Sequence, residues 1–181
     1  MEESKTGCRG SRRRIALEWV AAVAAAMVIA FLVHRYAYAQ LEVHNVSMQN
    51  TLSSGQRLIE DRWSYRFVQP KRGDIVIING PESKLRLIKR VVALPGERLD
   101  IRDGQVWIDG SLLHEPYAVG RTEPGDGLPV PYTVETGKLV VLGDNRENSM
   151  DSRTIGPIAM TSIEGKAVLR IYPIDQFGTL R

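Results

Sequence analysis

Nineteen consecutive positions, 15–33, are apolar apart from Glu18 near their start, and no later stretch repeats that pattern. As a helix rising ~1.5 Å per residue, the run reaches about 30 Å, the thickness of a bilayer's hydrocarbon core. The pattern therefore predicts a transmembrane helix over 15–35. Beyond it, apolar positions come in short runs bounded by turn formers, at 57–60, 74–78, 84–94, 98–102, 105–109, 132–142 and 165–172. Each reads as a strand, 132–142 as a strand or hairpin, and Asp103-Gly104 is a strong two-residue hairpin signal. Residues 115–131, rich in Pro and Gly, form a surface excursion. No convincing amphipathic helix follows the apolar run. The expected fold is thus mainly β, a single N-terminal transmembrane helix followed by one β-sheet domain over 36–181.

Charge changes this picture only at the N-terminus. Five basic against two acidic side chains in residues 1–14 account for the whole formal charge of +3, leaving the β domain neutral. A basic tail beside an apolar run points to a membrane surface rather than to nucleic acid, and places the tail 1–14 in the cytoplasm and the domain outside it. Trp19, Tyr36 and Tyr38 fit interfacial belts. A cleavable secretory signal is the competing reading, because Ala37-Tyr38-Ala39 before Gln40 has the form of a cleavage site, and residues 11–15 are similar to a twin-arginine signal. The apolar run exceeds the usual signal core of about 7 to 15 residues, which favours an anchor. Either way the domain lies outside the cytoplasm. The single cysteine, Cys8, is in the tail, and His34, His44 and His114 lack ligand spacing. Neither a disulfide, a metal site nor a cofactor is expected.

Candidate chemistry starts in the run 85–93. With a strand's period of two, one face holds Leu85, Leu87, Lys89, Val91 and Ala93, an apolar row with a lysine at its centre. Desolvation lowers a buried lysine's pKa from about 10.4 by as much as 3 to 5 units, so such a lysine can be neutral and act as a base. Arg86 and Arg90, on the opposite face, push weakly in the same direction. The alternative is a lysine that buries its stem and carries its ammonium to a sheet edge. Residues 143–153, Gly-Asp-Asn-Arg-Glu-Asn-Ser-Met-Asp-Ser-Arg, form a polar loop. Its acidic and amide residues suggest calcium, but the interspersed arginines argue against a cation. The loop suits orientation of a site, with Ser149 holding a lysine amine and Asp151 pairing with Arg153. Ser47 follows the apolar run by about a dozen residues and is a nucleophile only if a base is near. His44 is the rival base, but it sits at a poor spacing and lacks a placed carboxylate partner.

Together these stretches resemble the type I signal peptidases, the membrane-anchored Ser-Lys proteases that remove signal peptides from exported proteins. Ser47-Met48-Gln49-Asn50-Thr51 is similar to the family's S-M-x-P-T box, and Gly73-Asp74-Ile75-Val76 to its G-D-I-V box. Residues 89–97 are similar to its K-R-V-x-G-L-P-G-D box, and 143–153 match G-D-N-R-x-N-S-x-D-S-R at every fixed position. The resemblance implies Ser47 as nucleophile, Lys89 as general base and Ser149 as the partner orienting the lysine. It also implies a supporting salt bridge between Asp151 and Arg153, and the Ser47 backbone N–H as an oxyanion donor. Some members carry a serine two positions before the nucleophile as a second donor; here that position is Asn45. Asn50 stands where the family has proline, and Ala93 and Glu97 replace Gly and Asp.

The implied reaction is acyl transfer to Ser47 followed by hydrolysis of the ester, with the preprotein extended against a sheet edge. Small residues one and three positions before the cut would occupy shallow pockets, for which matching positions give Leu41, Val43, Met48, Leu52 and Ile88. The implied partners are preprotein signal peptides and membrane lipid, with the chain monomeric. Another Ser-Lys processing protease of the same fold, or an inactive membrane-tethered relative, is the alternative.

Overall fold

The computed structural model describes residues 7–80 and 86–180, and only the backbone for 7–13 and 32–36. Residues 1–6 of the basic tail, the Tyr36 side chain, and the expected strand start at Lys84 and Leu85 lie outside the described residues. The chain divides into two units, Met1–Tyr38 and Ala39–Arg181. In the first, α1 (Gly7–Ala37) carries the apolar span Arg14–Phe31, none of it buried by protein.

The second unit is mainly β. Its strands are β1 (Tyr38–Glu42), β2 (Arg57–Asp61), β3 (Ile75–Asn79), β4 (Arg86–Ala93), β5 (Arg98–Arg102) and β6 (Gln105–Ile108). They continue with β7 (Ser111–Leu112), β8 (Tyr132–Thr133), β9 (Lys138–Leu142), β10 (Ile158–Ala159), β11 (Ile163–Tyr172) and β12 (Gly178–Thr179). One sheet has the order β1-β2-β11-β3-β4-β9-β10, with β12 on β11; the other is β7-β6-β5-β8. Asp103 and Gly104 both take positive φ, 54° and 78°, which is the geometry that joins β5 and β6 tightly. The one α-helix among the described residues of this unit, α2 (Ser152–Ile155), is a single turn, and three short 3-10 turns accompany it.

Two sequence expectations need correction. Residues 132–142 are neither a single strand nor a hairpin, because β8 pairs with β5 and β9 with β4. The chain changes sheets between them, held where Val134 N–H donates to Glu97 O at 2.9 Å and its side chain enters the core. Second, 85–93 is not an apolar face backed by a polar one, since β4 is buried from Leu87 to Ala93. Ile88 packs with Ile75, Ile77, Met48 and Leu52, whereas Leu87 and Val91 pack with Val76, Ile78, Leu139 and Val141. Val92 and Ala93 join a third cluster with residues of the smaller sheet. A strand covered on both sides reads as a continuous apolar run. Lys89 and Arg90 are thus both interior residues.

Candidate active site

Ser47 is positioned by apolar neighbours in its own loop. Val43, Met48 and Leu52 are buried in one cluster, and the loop is closed where Val43 N–H donates to Gln56 O and Gly55 N–H to Val43 O, at 2.9 and 2.8 Å. The Gln49–Asn50 peptide bond, where the family's proline stands, is cis. From across the site, Asn145 ties the loop down: its N–H donates to Ser47 O at 3.0 Å and its Nδ2 to Val46 O at 3.3 Å. Gly143 makes this approach possible, because a Cβ there would collide with Ser47 O and Ser149 Oγ.

Lys89 reaches Ser47 directly, its Nζ donating to Oγ at 2.6 Å. The Ser47 hydroxyl donates in turn to Asn45 Oδ1 at 3.0 Å. Ser47 is 5 % and Lys89 1 % exposed. Burial pushes the Lys89 pKa down to about 8, against the pull of Asp151 and Asp144 and with a smaller push from Arg153. Neither carboxylate bonds the lysine, because each already has a cation. Asp151 binds Arg153 through Nε and Nη2 at 2.9 and 2.8 Å, and accepts the N–H of Gly143 at 2.9 Å. It also caps α2 through Arg153 N–H, and although burial opposes it, these bonds hold its carboxyl below the usual range. Asp144 takes Nε and Nη2 of Arg90 at 2.8 and 2.7 Å, and the Thr51 hydroxyl at 2.5 Å.

Arg90 is therefore not the weak helper of Lys89 that its sequence position suggests. Its charge is matched by Asp144, it donates to Gly73 O at 2.9 Å, and its guanidinium lies 4.0 Å from the Tyr117 ring centroid. Arg146 likewise binds Glu115 through Nη1 and Nη2, at 3.0 and 2.6 Å, and Thr122 at 2.6 Å. Sequence reasoning missed Thr51, Glu115, Tyr117 and Thr122. Their sequence distances from the residues they bind, 31 and 24 positions for Glu115 and Thr122 from Arg146, leave no local pattern by which to find them.

Ser149 Oγ is buried against Gly143 and close enough to help hold the Asp151 carboxyl down, but forms no hydrogen bond of good geometry among the described residues. The Ser47 backbone N–H donates to no acceptor among those residues. A groove of about 270 Å³ leads to the site, lined by Leu41, Glu42, His44, Asn45, Ile77, Arg86 and Ile88. Leu41 and Ile88 are thus groove residues. Val43, Met48 and Leu52 lie in the core. No His, Cys, Asp and Glu cluster fit to hold a metal ion occurs among the described residues.

A buried lysine without a carboxylate, in contact with a serine hydroxyl and beside a free N–H, can deprotonate that serine and stabilise an oxyanion. Comparison with known proteins gives the family. Residues 16–172 match the family described as signal peptidase, peptidase S26. Signal peptidase I T of Bacillus subtilis (strain 168) is 36% identical over 168 residues, spanning 88% of this chain and 87% of that protein. Signal peptidase I of Bacillus licheniformis is 36% identical over 186 residues, spanning 97% of this chain and 96% of that one. A crystal structure of a signal peptidase I from Enterococcus faecalis V583 aligns with a TM-score of 0.47 at 34% identity, covering 55% of this chain and 97% of that one. The chain belongs to the S26 signal peptidase family, and is a serine endopeptidase.

Proposed function

We propose that Ser47 is the nucleophile and Lys89 the general base with which this endopeptidase removes signal peptides from preproteins. The observation that carries the assignment is the 2.6 Å contact between Lys89 Nζ and Ser47 Oγ in a site where the lysine has no carboxylate partner. In the resting arrangement the ammonium donates to Oγ and the hydroxyl to Asn45. Once Lys89 loses its proton, the Ser47 hydroxyl turns to donate to Nζ. Oγ then attacks the scissile carbonyl as its proton passes to Nζ, and the oxyanion meets the Ser47 N–H. The ammonium returns the proton to the leaving amine, and water, deprotonated by the same lysine, hydrolyses the ester.

Asp151 acts through Gly143. By holding Arg153 and the Gly143 N–H together, it fixes the turn against which Ser47 and Ser149 pack. Ser149 stands by to receive the lysine amine as the dyad rearranges. The preprotein lies extended in the groove of Leu41, Ile77 and Ile88, and Asn45 joins that groove to the nucleophile. Residues 15–35 anchor the chain in the membrane, with 1–14 in the cytoplasm and 36–181 outside it; the length of the apolar span and the basic residues before it support this topology. The chain acts as a monomer. Preprotein cleavage by the full chain in detergent tests the dyad: Ser47→Ala lowers kcat by about 1000-fold or more. Activity within tenfold of wild type would remove Ser47 from the mechanism.

A further inference from the structure

Between β2 and β3, residues 62–68 read Arg-Trp-Ser-Tyr-Arg-Phe-Val, and none of the catalytic machinery uses them. Trp63 and Phe67 are 47% and 72% exposed, with their ring centroids 5.7 Å apart. The segment is firmly built. Asp61 Oδ1 accepts the N–H groups of Trp63 and Ser64 at 2.9 and 3.0 Å, and the N–H groups of Phe67 and Val68 both donate to Ser64 O at 3.0 Å. Tyr65 turns the other way, packing on the core and donating to Asp74 Oδ2 at 2.8 Å. Anchored by Tyr65, the turn holds two aromatic rings in solvent, and water gives no physical reason to keep them there.

We propose that this projection seats on an anionic lipid surface, Trp63, Phe67 and Val68 entering the headgroup boundary and Arg62, Arg66 and Lys71 meeting lipid phosphates. The inference rests on reading 15–35 as a membrane anchor, which keeps a bilayer within reach of the domain. The charges favour that occupant. Arg62, Arg66 and Lys71 are all exposed, with Arg66 over the Trp63 ring at 4.9 Å. The nearby carboxylates are already engaged: Asp61 accepts the turn's own N–H groups, Glu60 is buried, and Glu164 is paired with Arg86. Trp, Phe and Arg together suit the membrane–water boundary, where each ring enters the acyl margin and each cation stays among headgroups. A second exposed apolar group, Tyr172, Ile174 and Phe177, has Asp175 between the last two, and its nearest cations are engaged within the domain, Arg57 by Glu42 and Arg170 by Gln176 O and Thr51 O. Arg62 also connects to the substrate groove. Its Nε donates to Glu60 Oε2 at 3.0 Å, and the same oxygen accepts Nη2 of the groove residue Arg86 at 2.8 Å. A seated turn thus holds the groove's rim at the lipid surface.

The test uses the full chain in vesicles of zwitterionic lipid with and without phosphatidylglycerol, with bromines on the upper acyl chain. W19F retains Trp63 and Trp107, and W19F/W63F retains Trp107 alone, so their difference reports Trp63. In anionic vesicles the Trp63 emission is expected to shift to the blue and to lose about half its intensity to the bromines. The double variant W63S/F67S is expected to raise KM for a bilayer-embedded preprotein about fivefold, while cleavage of a soluble peptide in detergent stays within twofold. Trp63 quenched by aqueous iodide and not by bromolipid overturns the docking surface, and equal bromolipid quenching in zwitterionic vesicles overturns the anionic assignment. Alkaline carbonate separates the two readings. A chain stripped from the vesicles overturns the anchor, whereas a chain that stays while Trp63 remains in water overturns the docking surface alone.

Discussion

On β4 the side chains of Lys89 and Arg90 leave the backbone at adjacent positions, and both end in the protein interior at 1 % exposure. Around Arg90 the fold supplies a bidentate carboxylate, a backbone carbonyl, a hydroxyl and an aromatic face. Around Lys89 it supplies one serine hydroxyl, and directs the nearest carboxylates to other cations. The first arrangement compensates a buried charge; the second leaves it uncompensated and so favours the neutral amine. Burial alone therefore does not make a base. A base requires burial together with carboxylates that are already engaged, and Arg90 and Arg153 engage them.

Methionine at each position tests that contrast most severely. Lys89→Met is expected to lower kcat by about 1000-fold or more. It should also raise the stability of the detergent-solubilised domain at neutral pH, by up to about 3 kcal/mol, because the desolvation that lowers the lysine's pKa opposes folding while both states are protonated. The sign can be followed with pH. Between about 8 and 10.5 the unfolded lysine holds a proton that the folded one lacks, so wild-type stability rises through that window and the advantage of the methionine variant fades. Thermal melts at pH 7 and pH 10 measure it. A destabilised Lys89→Met at pH 7 would mean that the lysine is compensated after all.

Arg90→Met should behave in the opposite way, losing about 3 to 5 kcal/mol because Asp144 is left buried without its cation. A melting temperature lowered by about 10 °C or more is expected, with part of it restored by adding Asp144→Asn. Unchanged melting would show that the clamp is idle. The pH–rate profile gives a smaller effect. With Lys89 at about 8, kcat/KM should fall roughly tenfold per unit below that pH and level above it. A profile flat from pH 6 upward would count against a lysine base.

How legible the molecule was in its sequence depends on how local each cause is. The apolar run, the Asp103-Gly104 turn and the lysine within an apolar row are local patterns, and α1, the β5–β6 hairpin and the burial of Lys89 follow from them. Arg90 looked like a face residue because its partner is 54 residues away, and no periodicity records a carboxylate at Asp144. The sheet change after Thr133 was hidden for the same reason, since it depends on Val134 bonding Glu97. Strands of two residues, such as β8 and β10, are too short to show alternation. In the groove, motif matching put Val43, Met48 and Leu52 beside Leu41 and Ile88, but the loop after β1 folds those three into the core.

Asn45 carries the smallest expected effect and the finest discrimination between the two chemistries at Ser47. In the structure its amide meets the hydroxyl through Oδ1, as an acceptor that orients the resting serine. Loss of one such hydrogen bond is worth about 0.5 to 1.5 kcal/mol, so Asn45→Ala should lower kcat/KM by about tenfold or less. An oxyanion donor is worth more, about 100- to 1000-fold in kcat, because it acts on charge that exists only in the transition state. Asn45→Ala and Asn45→Ser assayed side by side separate the roles. If alanine costs more than about 100-fold and serine restores the rate, the amide turns its Nδ2 to the oxyanion after the hydroxyl has left it. A small loss in both leaves the Ser47 N–H as the donor that matters, and leaves Asn45 as the residue that holds the serine proton until Lys89 can take it.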